Sequence, residues 1–233
     1  MTAHRFVTSG RGRPLLAAMA VALLVVALPA TAGARGKPPG HDSNKCRTGT
    51  SQGVWADWMP PTDWTAGQVS YANSLIANTL ANSGRLDTPA EAAAAGYVSI
   101  GDGPVTGFDH WVKSGLVNDD KILDPCAPES VVFQSTATGP VLVAYMYILP
   151  TNYTLTTIPS EIAWLPGWHV HENLCFSTTT SQIVGIADAG GNCPPGSVRV
   201  TTPPMTHVWL RDNICHEPWA GVDEGGVMCM TPM

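Results

Sequence analysis

Ser130-Val-Val-Phe-Gln-Ser-Thr136, a Thr138-Gly139 turn and Val141-Leu-Val-Ala-Tyr-Met-Tyr-Ile-Leu149 decide the fold. Two runs rich in β-branched and aromatic residues, joined by a short turn containing glycine, predict a β-hairpin. The same texture extends outward on both sides. Tyr97 to Ile100 and Phe108 to Val112 precede the hairpin. Trp168 to Phe176, Gln182 to Ala187, Ser197 to Val200 and Thr206 to Leu210 follow it, punctuated by Gly, Pro and Asp, with Asp188-Ala-Gly-Gly191 as a further turn. A succession of strands with no helix between them predicts a mainly β domain of the α+β class, an antiparallel β-sandwich or barrel.

Two helices are expected upstream. Thr65 with Gln68 forms a capping box ahead of a helix from about 66 to 82, in which Val69, Ala72, Ile76 and Leu80 recur at helical spacing and Gly84 ends the run. Thr88-Pro-Ala-Glu91 opens a shorter helix ending at Gly96, with proline at its first position. The expected single domain therefore spans 46–233, with helices over about 66–95, a β region over about 97–210 and a C-terminal loop over 211–233. Trp55, Trp58 and Trp64 crowd the stretch before the first helix, either as plugs on the domain surface or as a platform for stacking sugars.

Residues 1–32 read as a signal peptide. Arg5, Arg11 and Arg13 precede an apolar run from Leu15 to Leu28, and Ala30-Thr-Ala32 supplies an A-x-A cleavage signal. No later stretch is apolar for the roughly 20 residues a membrane anchor needs. The expected mature chain is thus secreted and has no anchor, beginning with a polar, Pro/Gly-rich lead-in over 33–45. Removing the three arginines leaves nine basic against eighteen acidic residues, a net charge of −9. That acidity argues against nucleic acid as a partner. A chain that is 44% hydrophobic and 13% charged is also too apolar for intrinsic disorder.

Six cysteines, Cys46, Cys126, Cys175, Cys193, Cys215 and Cys229, all lie beyond the signal segment. An even number in an exported chain reads as disulfides, and pairing in chain order is expected. Ligation of a metal by cysteine is the competing reading, which the absence of any C-x-x-C weakens.

Leu165-Pro-Gly-Trp-His-Val-His-Glu-Asn-Leu-Cys175 carries the chemistry. In a strand alternate side chains share a face, so His169 and His171 point the same way and are spaced to chelate one ion. His207 in Met205-Thr-His-Val-Trp209 and His110 in Gly107-Phe-Asp-His-Trp111 fall on other expected strands. Neutral imidazoles suit one transition metal ion, zinc or copper first and iron as well. Glu172 and Asp109 are the nearest candidate acid/base or supporting groups, although each faces away from its neighbouring histidine in a regular strand. His216 falls within an expected disulfide loop and reads as structural. The thioethers of Met228-Cys-Met-Thr-Pro-Met233 are a weaker candidate for Cu(I).

The HxH pair with a third histidine on a later strand resembles the ligand geometry of the cupins, small β-barrels that hold a metal in the barrel mouth. Here Glu172 directly follows the second histidine, and Pro194-Pro-Gly196 lies well before His207. A second resemblance covers about residues 85–220. The order Gly107-Phe-Asp-His110, Ala144-Tyr-Met-Tyr147, Trp168-His-Val-His-Glu-Asn-Leu-Cys175, Gly191-Asn-Cys-Pro194 and His207-Val-Trp209 resembles a family of secreted bacterial proteins that share a Trp-His-x-His-x-Asn-Leu-Cys motif. That resemblance implies secretion and carries no activity. Three readings follow: a metal-binding protein, a metal-dependent enzyme acting on a small organic substrate, and a glycan- or protein-binding module that uses surface tryptophans.

Overall fold

The computed structural model describes residues 46–223 and 226–229, so the expected signal peptide (1–32) and lead-in (33–45) lie outside the described residues. The hairpin that decides the fold forms as β3 (Ser130–Thr136) and β4 (Gly139–Ile148), with a bulge between Val132 and Phe133. Around it, β1 (Val98–Ser99), β2 (Phe108–Val112) and, further along the chain, β8 (Met205–Trp209) complete an antiparallel sheet in the order β1-β2-β3-β4-β8. A second antiparallel sheet places β5 (Leu174–Ser177) between β6 (Ile183–Ile186) and β7 (Ser197–Arg199). The large sheet ends at β1 and β8. It does not close, so the arrangement is a sandwich and the expected alternative of a cupin-like barrel is not formed.

The strand register assigns two faces to the large sheet. His110 pairs with Val132 and Met146 with His207, so Phe108, His110, Val112, Met146, Met205, His207 and Trp209 share one face. Val131, Tyr145 and Tyr147 share the other. Helix α1 (Ala66–Ser83) covers that second face: the Tyr147 hydroxyl lies 2.7 Å from that of Thr79, and the Tyr145 hydroxyl donates to the Asn82 carbonyl. The capping box at Thr65 and Gln68 forms as expected, and so does the one that starts α2 (Pro89–Ala94) at Thr88 and Glu91. The buried stripe of α1 is centred on Ala72, Ile76 and Thr79, while Val69 and Leu80 sit at its margins, partly exposed. Gly49 crosses α1 so closely that a Cβ there would lie 1.9 Å from the Ala77 carbonyl oxygen.

Two expectations are corrected. The Trp168–Phe176 run is not one strand: His169 forms a single antiparallel bridge with Met205, and the regular ladder starts only at Leu174. The facing chain is Thr202-Pro-Pro-Met205, and prolines have no N–H to donate, so the ladder lapses between the His169–Met205 rung and the bonds that join His171 to Thr202. The C-terminal segment is not wholly loop, because β9 (Gly221–Asp223) pairs with β10 (Gly226–Met228). Between β1 and β2 the chain forms a one-turn helix, α3 (Gly103–Thr106).

The six cysteines pair in chain order: Cys46 with Cys126, Cys175 with Cys193, and Cys215 with Cys229. Three disulfides fit an oxidising environment. Among the described residues no helix is long and apolar enough to cross a membrane.

Candidate functional site

β2 and β8 present His110 and His207 from the same face of the large sheet, with β3 and β4 between them. The imidazole Nε2 atoms of His110 and His207 lie 3.4 Å apart. The bridge between His169 and Met205 sets His169 against the outer edge of β8, where its ring stacks on that of His207 with centroids 5.3 Å apart. His171 follows on the same side, its ring centroid 5.2 Å from that of His169. The structure thus brings all four expected histidines into one continuous group. As placed, however, no three His, Cys, Asp or Glu side chains among the described residues are set to hold one metal ion.

Three of the four rings are oriented by an oxygen acceptor. Asp102, 3% exposed, spends both carboxylate oxygens on His110: one accepts from its backbone N–H at 2.9 Å and the other lies 2.5 Å from its Nδ1. His169 directs Nδ1 at the Gly167 carbonyl oxygen, 2.7 Å away. Gly167 has φ of +80°, and a Cβ there would lie 2.5 Å from the Trp219 carbonyl oxygen, so this orienting turn requires glycine. His171 turns Nδ1 toward Asp223 at 3.6 Å. These contacts leave Nε2 of His110 and His169 as the lone-pair nitrogens. His169 Nε2 and His207 Nδ1 are buried without a hydrogen-bond partner.

Burial determines the charge state of the group. It lowers His169 from 6.5 to about 4, lowers His171 against the opposing pull of Asp223, and lowers fully buried His207 well below the ordinary range, with its histidine neighbours adding to the effect. These three rings are therefore neutral near pH 7.

The two acidic candidates beside the histidines in sequence are not part of the group. Asp109 lies on the opposite face of β2, where it accepts from Ser99 Oγ and Trp111 Nε1, and Glu172 is exposed to solvent. Alternation along β2 and the outward turn after His171 account for both. The carboxylates that do approach the rings, Asp102 and Asp223, were not picked out by reading the sequence. Asp102 sits eight residues before His110, across the short α3 connection, and the only sequence sign was its place in a tight turn leading into the strand. Asp223 arrives from the unexpected β9. His216 is exposed and lies 3.1 Å from Asp212, apart from the group.

The tryptophans divide. Trp55, Trp209 and Trp219 are core residues. Trp58, Trp64 and Trp164 meet edge to face, at interplanar angles of 67° and 81°, which is not the coplanar row that would stack sugars. Compared with protein-family models, with curated proteins and with solved structures, the chain matches none.

Proposed function

We propose that His110, His169, His171 and His207 bind one transition metal ion, in a protein exported by the segment 1–32 to an oxidising compartment. The observation that carries this reading is the commitment of Nδ1 to an oxygen acceptor in both His110 and His169. It leaves Nε2 as the ligating nitrogen, in the arrangement that orients histidines at metal centres. The 3.4 Å between Nε2 of His110 and Nε2 of His207 matches two ligands of one tetrahedral ion, about 3.3 Å apart when each metal–nitrogen bond is about 2.0–2.1 Å. Burial favours the neutral imidazole, the form that ligates. All six cysteines are in disulfides, so imidazole is the donor and zinc or copper the expected ion, with iron also accommodated. When bound, such an ion supplies Lewis acidity toward an oxygen atom.

Elemental analysis of untagged protein, exported by its own leader and purified without chelators, tests the proposal. About one equivalent of metal per chain is expected, lost in His169→Ala with the disulfides intact. Protein that stays metal-free after reconstitution, or a His169→Ala variant that keeps its full equivalent, overturns it. A metal-dependent enzyme acting on a small organic substrate is the second reading, favoured by a cavity that reaches His110 and His171. Under that reading a substrate-sized apolar molecule changes the visible spectrum of the cobalt-substituted protein, and under simple metal binding the spectrum stays constant.

A further inference from the structure

Between the large sheet and the β5-β6-β7 sheet lies a cavity of about 340 Å³. Packed sheets fill this space with interdigitating side chains, and voids larger than a water molecule are few in a folded core. The volume corresponds to roughly eleven water-sized groups at about 30 Å³ each, near the lower end of small-molecule sites.

The walls are Val112 of β2, Met146 and Ile148 of β4, Leu174 and Phe176 of β5, and Val222 of β9. They offer water almost nothing to bond with, so the body of any occupant must be apolar. Polar groups gather at the two ends. His110 and His171 stand at the inner end, while exposed Ser114, Asn118 and Thr151 form the rim, where Asn118 Oδ1 accepts from the Thr151 backbone N–H.

Charge narrows the class further. Among the described residues that line the cavity Asp102 alone is formally charged, and both its oxygens are engaged by His110. A carboxylate or phosphate would be desolvated beside Asp102 with no lysine or arginine to compensate, and an ammonium would meet a carboxylate already in use. A hydroxyl group needs only to donate one hydrogen bond to an imidazole lone pair.

We infer that this cavity binds a small neutral organic molecule, apolar in its body and carrying one hydroxyl group that donates to the imidazole nitrogens left free on His171 and His110. The inference shares two side chains with the metal reading and does not require the ion. The test is calorimetric titration of the full mature protein, treated with chelator, with p-cresol and 1-heptanol as neutral probes and p-toluate and heptanoate as their acid counterparts. Saturable one-to-one binding of a neutral probe is expected, with the matching acid weaker by about tenfold or more. Val117→Trp, which fills the cavity near its rim, is expected to weaken neutral-probe binding by about tenfold or more. Methyl resonances of Met146, Met205 and Ile148 in the unsubstituted protein should shift on addition of the probe, a readout independent of how that variant folds. Absence of saturable binding, acids that bind as tightly as their neutral partners, or unshifted methyls at these positions overturns the inference. Elemental analysis of the same preparations before chelation reports on the ion separately, so either reading can fail with the other left standing.

Discussion

Asp102 fixes both the backbone and the ring of His110 with one carboxylate, and its charge holds the proton on Nδ1. Asp102→Asn keeps the shape and removes that preference. Metal affinity is expected to fall by about 10–100-fold, measured by competition with a chromophoric chelator, and an unchanged affinity would exclude Asp102 from the site. Glu129 is a second buried carboxylate, 1% exposed on β3's approach, whose Oε2 accepts from the Ile148 N–H. Burial pushes it up from 4.5 to about 8, so its contribution to stability is full below 4.5 and lost as pH rises through about 8. The buried histidines run the other way. Held below 6.5, they contribute fully above 6.5 and lose that contribution as pH falls through their lowered folded-state values, about 4 for His169. Three histidines outweigh one glutamate where the ranges overlap. The Tm of metal-free protein should therefore climb from about pH 4 to 6.5 and decline toward 8. Glu129→Gln should abolish the decline, and a variant that keeps it would place the alkaline loss elsewhere.

At the scale of elements, local rules were legible wherever the chain satisfies its own backbone. Both capping boxes stand where Thr65 and Thr88 placed them, and Thr65→Ala should cost about 1 kcal/mol in denaturant unfolding. A cost near zero would mean that tertiary contacts alone hold the start of α1. The β3-β4 hairpin was legible for the same reason, since its turn and both strands lie together in sequence. Partnership across distance was not. Alternation correctly put His169 and His171 on one side, but the strand that was to carry them depends on facing Pro203 and Pro204, which lie more than thirty residues on. The β9-β10 pair was missed because its strands are three residues each. Consequently the histidines were found from sequence, while Asp102 and Asp223, which orient two of them, became visible only through packing.

At the largest scale the described residues form a sandwich with a helix on its outer face, a histidine group and cavity on its inner face, and three disulfides. The described residues belong to one compact unit. Cys46–Cys126 closes a loop with a sequence separation of 80, against 14 for Cys215–Cys229. In the chain-entropy account, replacing the first pair by alanines should destabilise by about 1.5 kcal/mol more than replacing the second, as read from denaturant midpoints. Equal losses would show that the N-terminal arm gains little from its bridge beyond the hydrogen bonds Asn78 and Asn82 make to it. Pairing in chain order has a biosynthetic consequence as well. A chain emerging from its N-terminus can close each bridge as soon as the second cysteine of the pair appears, before the first cysteine of the next pair arrives. Maturation then calls for an oxidant and no isomerase, because a correct bond never has to be reopened to let a later partner in.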